Sequence, residues 1–134
     1  MRTFTRPALT CLALCATVAL SWSPAFAQSR SIEGTWTGGG YAELTDGQRE
    51  RVRCRVRYTR VGANIFGVSA VCASPSVRVT QTGTVSRVAA NRFAGDLYNP
   101  EYGVAGRVRI VVSGAKQTVR MRSAQGSGAL SLSR

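Results

Sequence analysis

From residue 32 onward the chain alternates apolar and polar positions and shows little helical periodicity. The clearest segment carries Arg49, Arg51, Arg53, Arg55 and Arg57 at every second position, with Glu50, Val52, Cys54, Val56 and Tyr58 as the intervening and following residues. Side chains alternate faces along a β-strand, so all five guanidiniums share one face and a mostly apolar set takes the other. At about 3.3 Å per residue the stripe is roughly 26 Å long. Alternating runs bounded by turn residues recur about every ten positions. They predict strands at Ile32–Leu44 (interrupted by Gly38-Gly39-Gly40), Arg49–Arg60, Ile65–Ala73, Val77–Gln81, Thr82–Val88, Arg92–Tyr98, Val104–Val112, Gln117–Ser123 and Ser127–Ser133. Gly83 sits between the fourth and fifth runs, which can be one bent strand. The expected fold is all-β: an antiparallel up-and-down meander of about eight strands, closed into a small barrel.

Register follows from side-chain chemistry. If Cys54 faces Cys72, then Val56 faces Ala70, Tyr58 faces Val68 and Arg60 faces Phe66. A directly opposed antiparallel pair has the Cα separation a disulfide needs. The same register sets Arg53, Arg55 and Arg57 opposite Ala73, Val71 and Ser69. On the other side, a two-residue Asp46-Gly47 turn pairs Thr45 with Gln48. Ala42, Gly40 and Gly38 then face Arg51, Arg53 and Arg55, leaving the stripe flanked by small residues. This register also puts Trp36 beside Arg57 on the charged face. A bulge in the triple glycine would return so large an apolar group to the core, and is the expectation.

A second basic hairpin spans Val104–Ser123. A Gly114-Ala115 loop pairs Ser113 with Lys116, so Val108 faces Met121 and Ile110 faces Val119. On the opposite face Arg109 opposes Arg120 and Arg107 opposes Arg122. Directly opposed like charges repel. Either solvent and salt screen them or an anion bridges them.

Composition adds a compartment. Residues 1–27 read as a secretory signal peptide: Arg2 and Arg6, an apolar stretch from Ala8 to about Trp22, then Ala25-Phe26-Ala27 before Gln28. Residues 28–134 are expected to form a single β-barrel-like domain, periplasmic or secreted, with no transmembrane segment. Cys54 and Cys72 are the two cysteines left after cleavage, and in an oxidising compartment they are expected to form a disulfide. No cofactor is expected and no metal, since the chain has no histidine. Lys and Arg number 18 against 6 Asp and Glu, a formal charge of +12 of which the leader carries two. Lys116 is the lone lysine. Arginine forms planar bidentate pairs with carboxylate, phosphate or sulfate, as lysine does not.

Ile32-Glu33-Gly34-Thr35-Trp36 opens the domain. It resembles the Gly-x-Trp first-strand motif of the calycin barrels: lipocalins, avidins and small bacterial metalloprotease inhibitors. The resemblance implies that Trp36, with Gly34 before it, plugs one end of an up-and-down barrel and that an arginine from a late strand packs on it; Arg134 is the candidate. Avidin-like sites carry several tryptophans and a Tyr-Asn after the motif. Here Thr37-Gly38 follow, so biotin binding is not implied. Inhibitors of this group insert an N-terminal segment into the protease, which here would be Gln28–Ser31.

Catalytic candidates are few. Without histidine there is no Ser-His-Asp site, and bonded cysteines leave no thiol nucleophile. The one carboxylate pair the hairpin registers place together is Glu43 with Glu50, either a general acid or a solvated rim pair. Gly38-Gly39-Gly40 is not a phosphate loop, because no Gly-Lys-Ser/Thr follows. The expectation is a non-enzymatic exported barrel. Its anion-binding residues would be Arg49, Arg51, Arg53, Arg55, Arg57, Arg107, Arg109, Arg120 and Arg122. Expected partners are an anionic envelope polymer, a lipid headgroup or an acidic protein surface. Nucleic acid is disfavoured by export and by sparse aromatics on the basic face. The alternatives are a calycin-type secreted protease inhibitor and a carrier of a small apolar ligand, which an interior filled by Trp36, Tyr58, Phe66, Phe93, Ile110 and Met121 would exclude.

Overall fold

The structure, a computed structural model, describes Leu20, Ser21 and residues 31–134. Apart from Leu20 and Ser21, the leader expected at 1–27 lies outside the described residues, as do residues 28–30. Eight strands follow in chain order: β1 (Gly34–Leu44), β2 (Arg49–Gly62), β3 (Ile65–Ala73), β4 (Arg78–Ala89), β5 (Arg92–Asn99), β6 (Val104–Ser113), β7 (Lys116–Ser123) and β8 (Gly126–Ser133). Each pairs antiparallel with the next, and β8 pairs with β1 to close the barrel. Closure leaves no unpaired sheet edge. The two runs on either side of Gly83 are one strand, β4.

The expected β2–β3 register holds, with Cys54 opposite Cys72, Val56 opposite Ala70 and Tyr58 opposite Val68. Cys54 and Cys72 are disulfide-bonded with Cα atoms 4.1 Å apart. The β6–β7 register holds as well: Ser113 opposes Lys116, Arg109 opposes Arg120 and Arg107 opposes Arg122.

The first hairpin differs by one residue. Leu44 N–H donates to Gln48 O, and Gly47 N–H donates to Leu44 O, so Thr45-Asp46-Gly47 form a three-residue loop. Gly47 takes φ +86°, which a residue without a Cβ adopts at little cost. Glu43 therefore opposes Arg49, and Trp36 opposes Val56 without any bulge in the triple glycine. Since a one-residue shift flips a whole strand, Trp36 turns inward and is fully buried. Gly38, Gly40 and Ala42 turn inward with it, correcting their expected places beside the arginines. Glu43 and Glu50 end on opposite faces: Glu43 is exposed, while the Glu50 carboxylate accepts from Ser76 Oγ at 2.8 and 2.9 Å. The carboxylate pair does not exist.

One end of the barrel is closed by aromatics. Trp36, Phe66 and Phe93 are buried there, the two phenylalanine rings edge-to-face at 5.7 Å. Each ring carries a guanidinium: Arg60 over Phe66, Arg87 over Phe93 and Arg134 over Trp36, at 5.1, 4.8 and 4.3 Å from the centroids. Two segments build this end alike. Arg60-Val61-Gly62-Ala63-Asn64-Ile65-Phe66 and Arg87-Val88-Ala89-Ala90-Asn91-Arg92-Phe93 share a pattern, and both shift register two residues after their arginine. Asn64 O accepts from Arg87 N–H, Asn91 O from Val112 N–H and Ala115 O from Arg134 N–H, so each hairpin is tied to the chain that follows it.

Candidate functional site

The sequence points to two places in such a barrel, its charged exterior and its interior. Outside, the odd-numbered residues of β2 face solvent, because the even-numbered set (Val52, Cys54, Val56, Tyr58) is drawn into the core by its apolar surface. Arg49, Arg51, Arg53, Arg55 and Arg57 are all exposed. On the β3 side their neighbours are the expected Ala73, Val71 and Ser69. On the β1 side they are Thr35, Thr37, Gly39, Tyr41 and Glu43. Arg49 lies over the Tyr41 ring, 4.1 Å from its centroid.

The second cluster, Arg107, Arg109, Arg120 and Arg122, is also exposed on β6 and β7. Arg107 Nε stands 3.7 Å from Asp96 Oδ1. Among the described residues the other eight candidate arginines have no carboxylate within salt-bridge reach; the second ion pair joins Arg60 to Glu33.

The closure of the barrel brings the two clusters to either side of β8 and β1. A recess of about 170 Å³ between them is lined by Tyr41, Glu43, Arg49, Arg120, Arg122 and Ser127, among others. Residues far apart in sequence thus converge at one place. Strand alternation predicted each cluster but not their proximity.

Arg134 is not part of either cluster. Its Nη1 donates to Glu33 O and its Nη2 to Ser31 O, both at 2.8 Å, with its face on Trp36. Trp36 Nε1 donates to Ile32 O at 2.9 Å. Gly34, at φ +110°, gives the chain its entry into β1.

Inside, Trp36, Phe66, Phe93 and Ile110 pack the closed half, but the interior is not filled. An apolar cavity of about 160 Å³ lies toward the other end, lined by Val52, Val68, Ala70, Val85, Leu97 and Met121 among others. Gln81, Tyr41 and Tyr58 are the residues of its lining that carry a polar side-chain group. Tyr58 donates to Gln117 Oε1 at 2.8 Å. Burial pushes the Tyr58 phenol well above its ordinary range, against the smaller downward pull of that hydrogen bond.

No protein-family model matches the chain, and no characterised protein matches it in sequence. Among solved structures the barrel is similar to redesigned and de novo β-barrels. One is the redesigned barrel mFAP1 bound to DFHBI, with TM-score 0.68 and 13% identity over 77% of this chain and 94% of that one. Another is the redesigned barrel b11L5F_LGL, with TM-score 0.63 and 15% identity over 77% and 90%. A third is a fluorescence-activating β-barrel of de novo design, with TM-score 0.60 and 16% identity over 77% and 93%. At these identities the likeness is one of fold: the chain is a small, closed, eight-stranded antiparallel β-barrel.

Proposed function

We propose that this chain is an exported, non-enzymatic β-barrel of calycin-like build that binds an anionic component of the cell envelope through its arginine face. One observation carries this: ten exposed arginines sit on β2, β6 and β7, and among the described residues only two of them, Arg60 and Arg107, have a carboxylate partner. Exposed guanidiniums without internal partners keep their full capacity for bidentate bonds to carboxylate, phosphate or sulfate. The leader pattern at 1–27 and the Cys54–Cys72 disulfide are compatible with export. Trp36 under Arg134 has the arrangement that the Gly-x-Trp resemblance implies.

The test is binding of the purified mature protein to an immobilised polyanion over a range of salt. Binding is expected to fall steeply with salt. Changing Arg51, Arg53 and Arg55 to Ser is expected to weaken it by roughly two orders of magnitude at low salt, taking about 1 kcal/mol per contact. Equal binding by wild type and the triple variant would refute the proposal.

A second reading, carriage of a small apolar ligand, is favoured by the interior cavity. At about 160 Å³ it is close to the ~150 Å³ of apolar cavities that stay dry and admit benzene or xenon. Benzene should shift the methyl resonances of Val68 and Leu97, and Ala70→Leu, which fills the cavity, should abolish the shift. Unchanged methyl resonances would exclude this role. Protease inhibition would rest on Gln28–Ser31, of which residues 28–30 lie outside the described residues.

A further inference from the structure

Transverse rows across the barrel's closing seam share one design. From β6 through β7, β8 and β1 to β2 they read Arg107–Arg122–Ser127–Glu43–Arg49, Arg109–Arg120–Ala129–Tyr41–Arg51, Val111–Thr118–Ser131–Gly39–Arg53 and Ser113–Lys116–Ser133–Thr37–Arg55. Every row ends in arginine on the β2 side. On the β7 side three of the four present Arg122, Arg120 and Lys116, and two of those are doubled by Arg107 and Arg109 on β6. The two middle strands carry small or hydroxyl residues, with Tyr41 and Glu43 as the exceptions. Long cationic side chains thus stand on both sides of a low floor.

The dimensions follow from strand geometry. Three inter-strand spacings separate β7 from β2, about 14 Å between backbones. Successive rows lie about 6.8 Å apart, so four rows run for about 20 Å along the strands. The feature is therefore a band of outer surface, long along the strands, with Ser and Thr at its centre and cationic flanks that lean apart with the barrel's curvature; Arg49, Arg120 and Arg122 meet at one end of it, around the recess.

We propose that this β8–β1 seam seats a single linear anionic polysaccharide lying along the strands. Its carboxylate or sulfate groups pair with the cationic flanks, starting from the recess of Arg49, Arg120 and Arg122, and its hydroxyls meet Ser127, Ser131, Ser133 and Thr37. This rests on the arginine-face reading and assigns it a ligand class and a binding path. A chain of sugars is hydroxyl-rich and narrow, which suits a polar band with cationic flanks. A single-stranded nucleic acid would want stacking platforms, and the floor offers only Tyr41, whose face Arg49 covers. A flat lipid surface would meet the arginine tips and leave the floor unused.

The decisive experiment alters the floor without altering charge. Alginate oligomers, a linear polyuronate, are titrated into wild type, Ser131→Tyr, Ser127→Tyr and a control, Thr82→Tyr, on the outer face of β4. All three substituted positions are exposed, and circular dichroism and melting confirm which variants fold. Affinity should rise with oligomer length until the chain spans about 20 Å and then level off. Either floor variant should weaken alginate binding by at least about tenfold, whereas Thr82→Tyr should not. Undiminished binding by both floor variants overturns the seam site, while loss in the variant lacking Arg51, Arg53 and Arg55 would still leave the arginine-face reading standing. No alginate binding combined with tight binding to anionic vesicles or single-stranded DNA, insensitive to Ser131→Tyr, also overturns it. No binding by wild type to any polyanion refutes the arginine-face reading itself.

Discussion

The guanidinium of Arg134 lies 4.3 Å over the indole of Trp36 while donating to the carbonyls of Glu33 and Ser31. The residue that follows β8 thereby clamps the segment that enters β1. Stacking and two charged hydrogen bonds act on one side chain. Arg134→Ala is expected to cost about 1–3 kcal/mol, and Arg134→Lys to recover part of it, because an ammonium cannot make the forked pair of bonds. Urea unfolding midpoints of the three proteins measure this. Equal midpoints would show that the clamp does not contribute to stability.

The buried Tyr58 hydroxyl donates to Gln117 Oε1, and Gln117 Nε2 has no partner among the described residues. Tyr58→Phe strands the rest of the amide, at an expected cost of about 1–3 kcal/mol. Tyr58→Phe combined with Gln117→Leu removes both polar groups and should be more stable than Tyr58→Phe alone. A double-mutant cycle in urea reads the difference.

Tyr58 also sets an alkaline limit. Its phenol stays neutral in the folded barrel at pH values where the unfolded chain ionises, above about 10. The unfolded state then binds fewer protons than the folded one, so stability is intact below that pH and falls as pH rises beyond it. This residue contributes a slope of up to about 1.4 kcal/mol per pH unit. Denaturation from pH 8 to 11 should show a decline that is shallower in Tyr58→Phe.

The Cys54–Cys72 bond closes a loop with a sequence separation of 18. Removing it with Cys54→Ala and Cys72→Ala should cost about 3 kcal/mol, the loop-closure entropy returned to the unfolded chain. The arginine face should keep its polyanion affinity at temperatures where the variant remains folded, since the bond lies on the inner side of the hairpin. Melting in oxidising and reducing buffer gives the first number, and a binding titration the second.

Two inward-facing glycines at the seam should respond in opposite ways. A Cβ at Gly40 would collide with the carbonyl oxygen of Ala129, whereas at Gly128 the nearest atom would be Tyr41 O at 3.5 Å. Gly40→Ala should therefore destabilise by about 1–3 kcal/mol. Gly128→Ala, beside the cavity, should be neutral or slightly stabilising, since it reduces the freedom of the unfolded chain. Thermal melts that place the two variants level would contradict this account of β1–β8 packing.

What local pattern can specify, it specified here. The β2–β3 and β6–β7 registers were legible because each hairpin is short-range and its faces differ sharply in polarity. Cys54 had to meet Cys72, and Val108 and Ile110 needed apolar partners in Met121 and Val119. The first hairpin was legible only in part. Asp46-Gly47 signals a tight turn, but a two-residue and a three-residue loop share that signal and differ by one position in register. Burial of Trp36 was the right constraint. The longer loop satisfies it without breaking the β1–β2 ladder, as a bulge would have done. The Arg-Val-x-Ala-Asn-x-Phe pattern shared by the segments beginning at Arg60 and Arg87 was present in the sequence as a signal for the closed end.

By itself, then, the sequence determined strands, faces and the chemistry each face presents, because side-chain alternation is a property of neighbouring residues. Only the tertiary structure decided which faces meet. Bringing β8 against β1 joins the first and last strands of the barrel, a contact set by barrel curvature and the sum of all registers. That closure puts two separate arginine clusters on the flanks of one seam, where Arg49, Arg120 and Arg122 line one recess, and leaves an apolar cavity beyond the aromatics at the closed end.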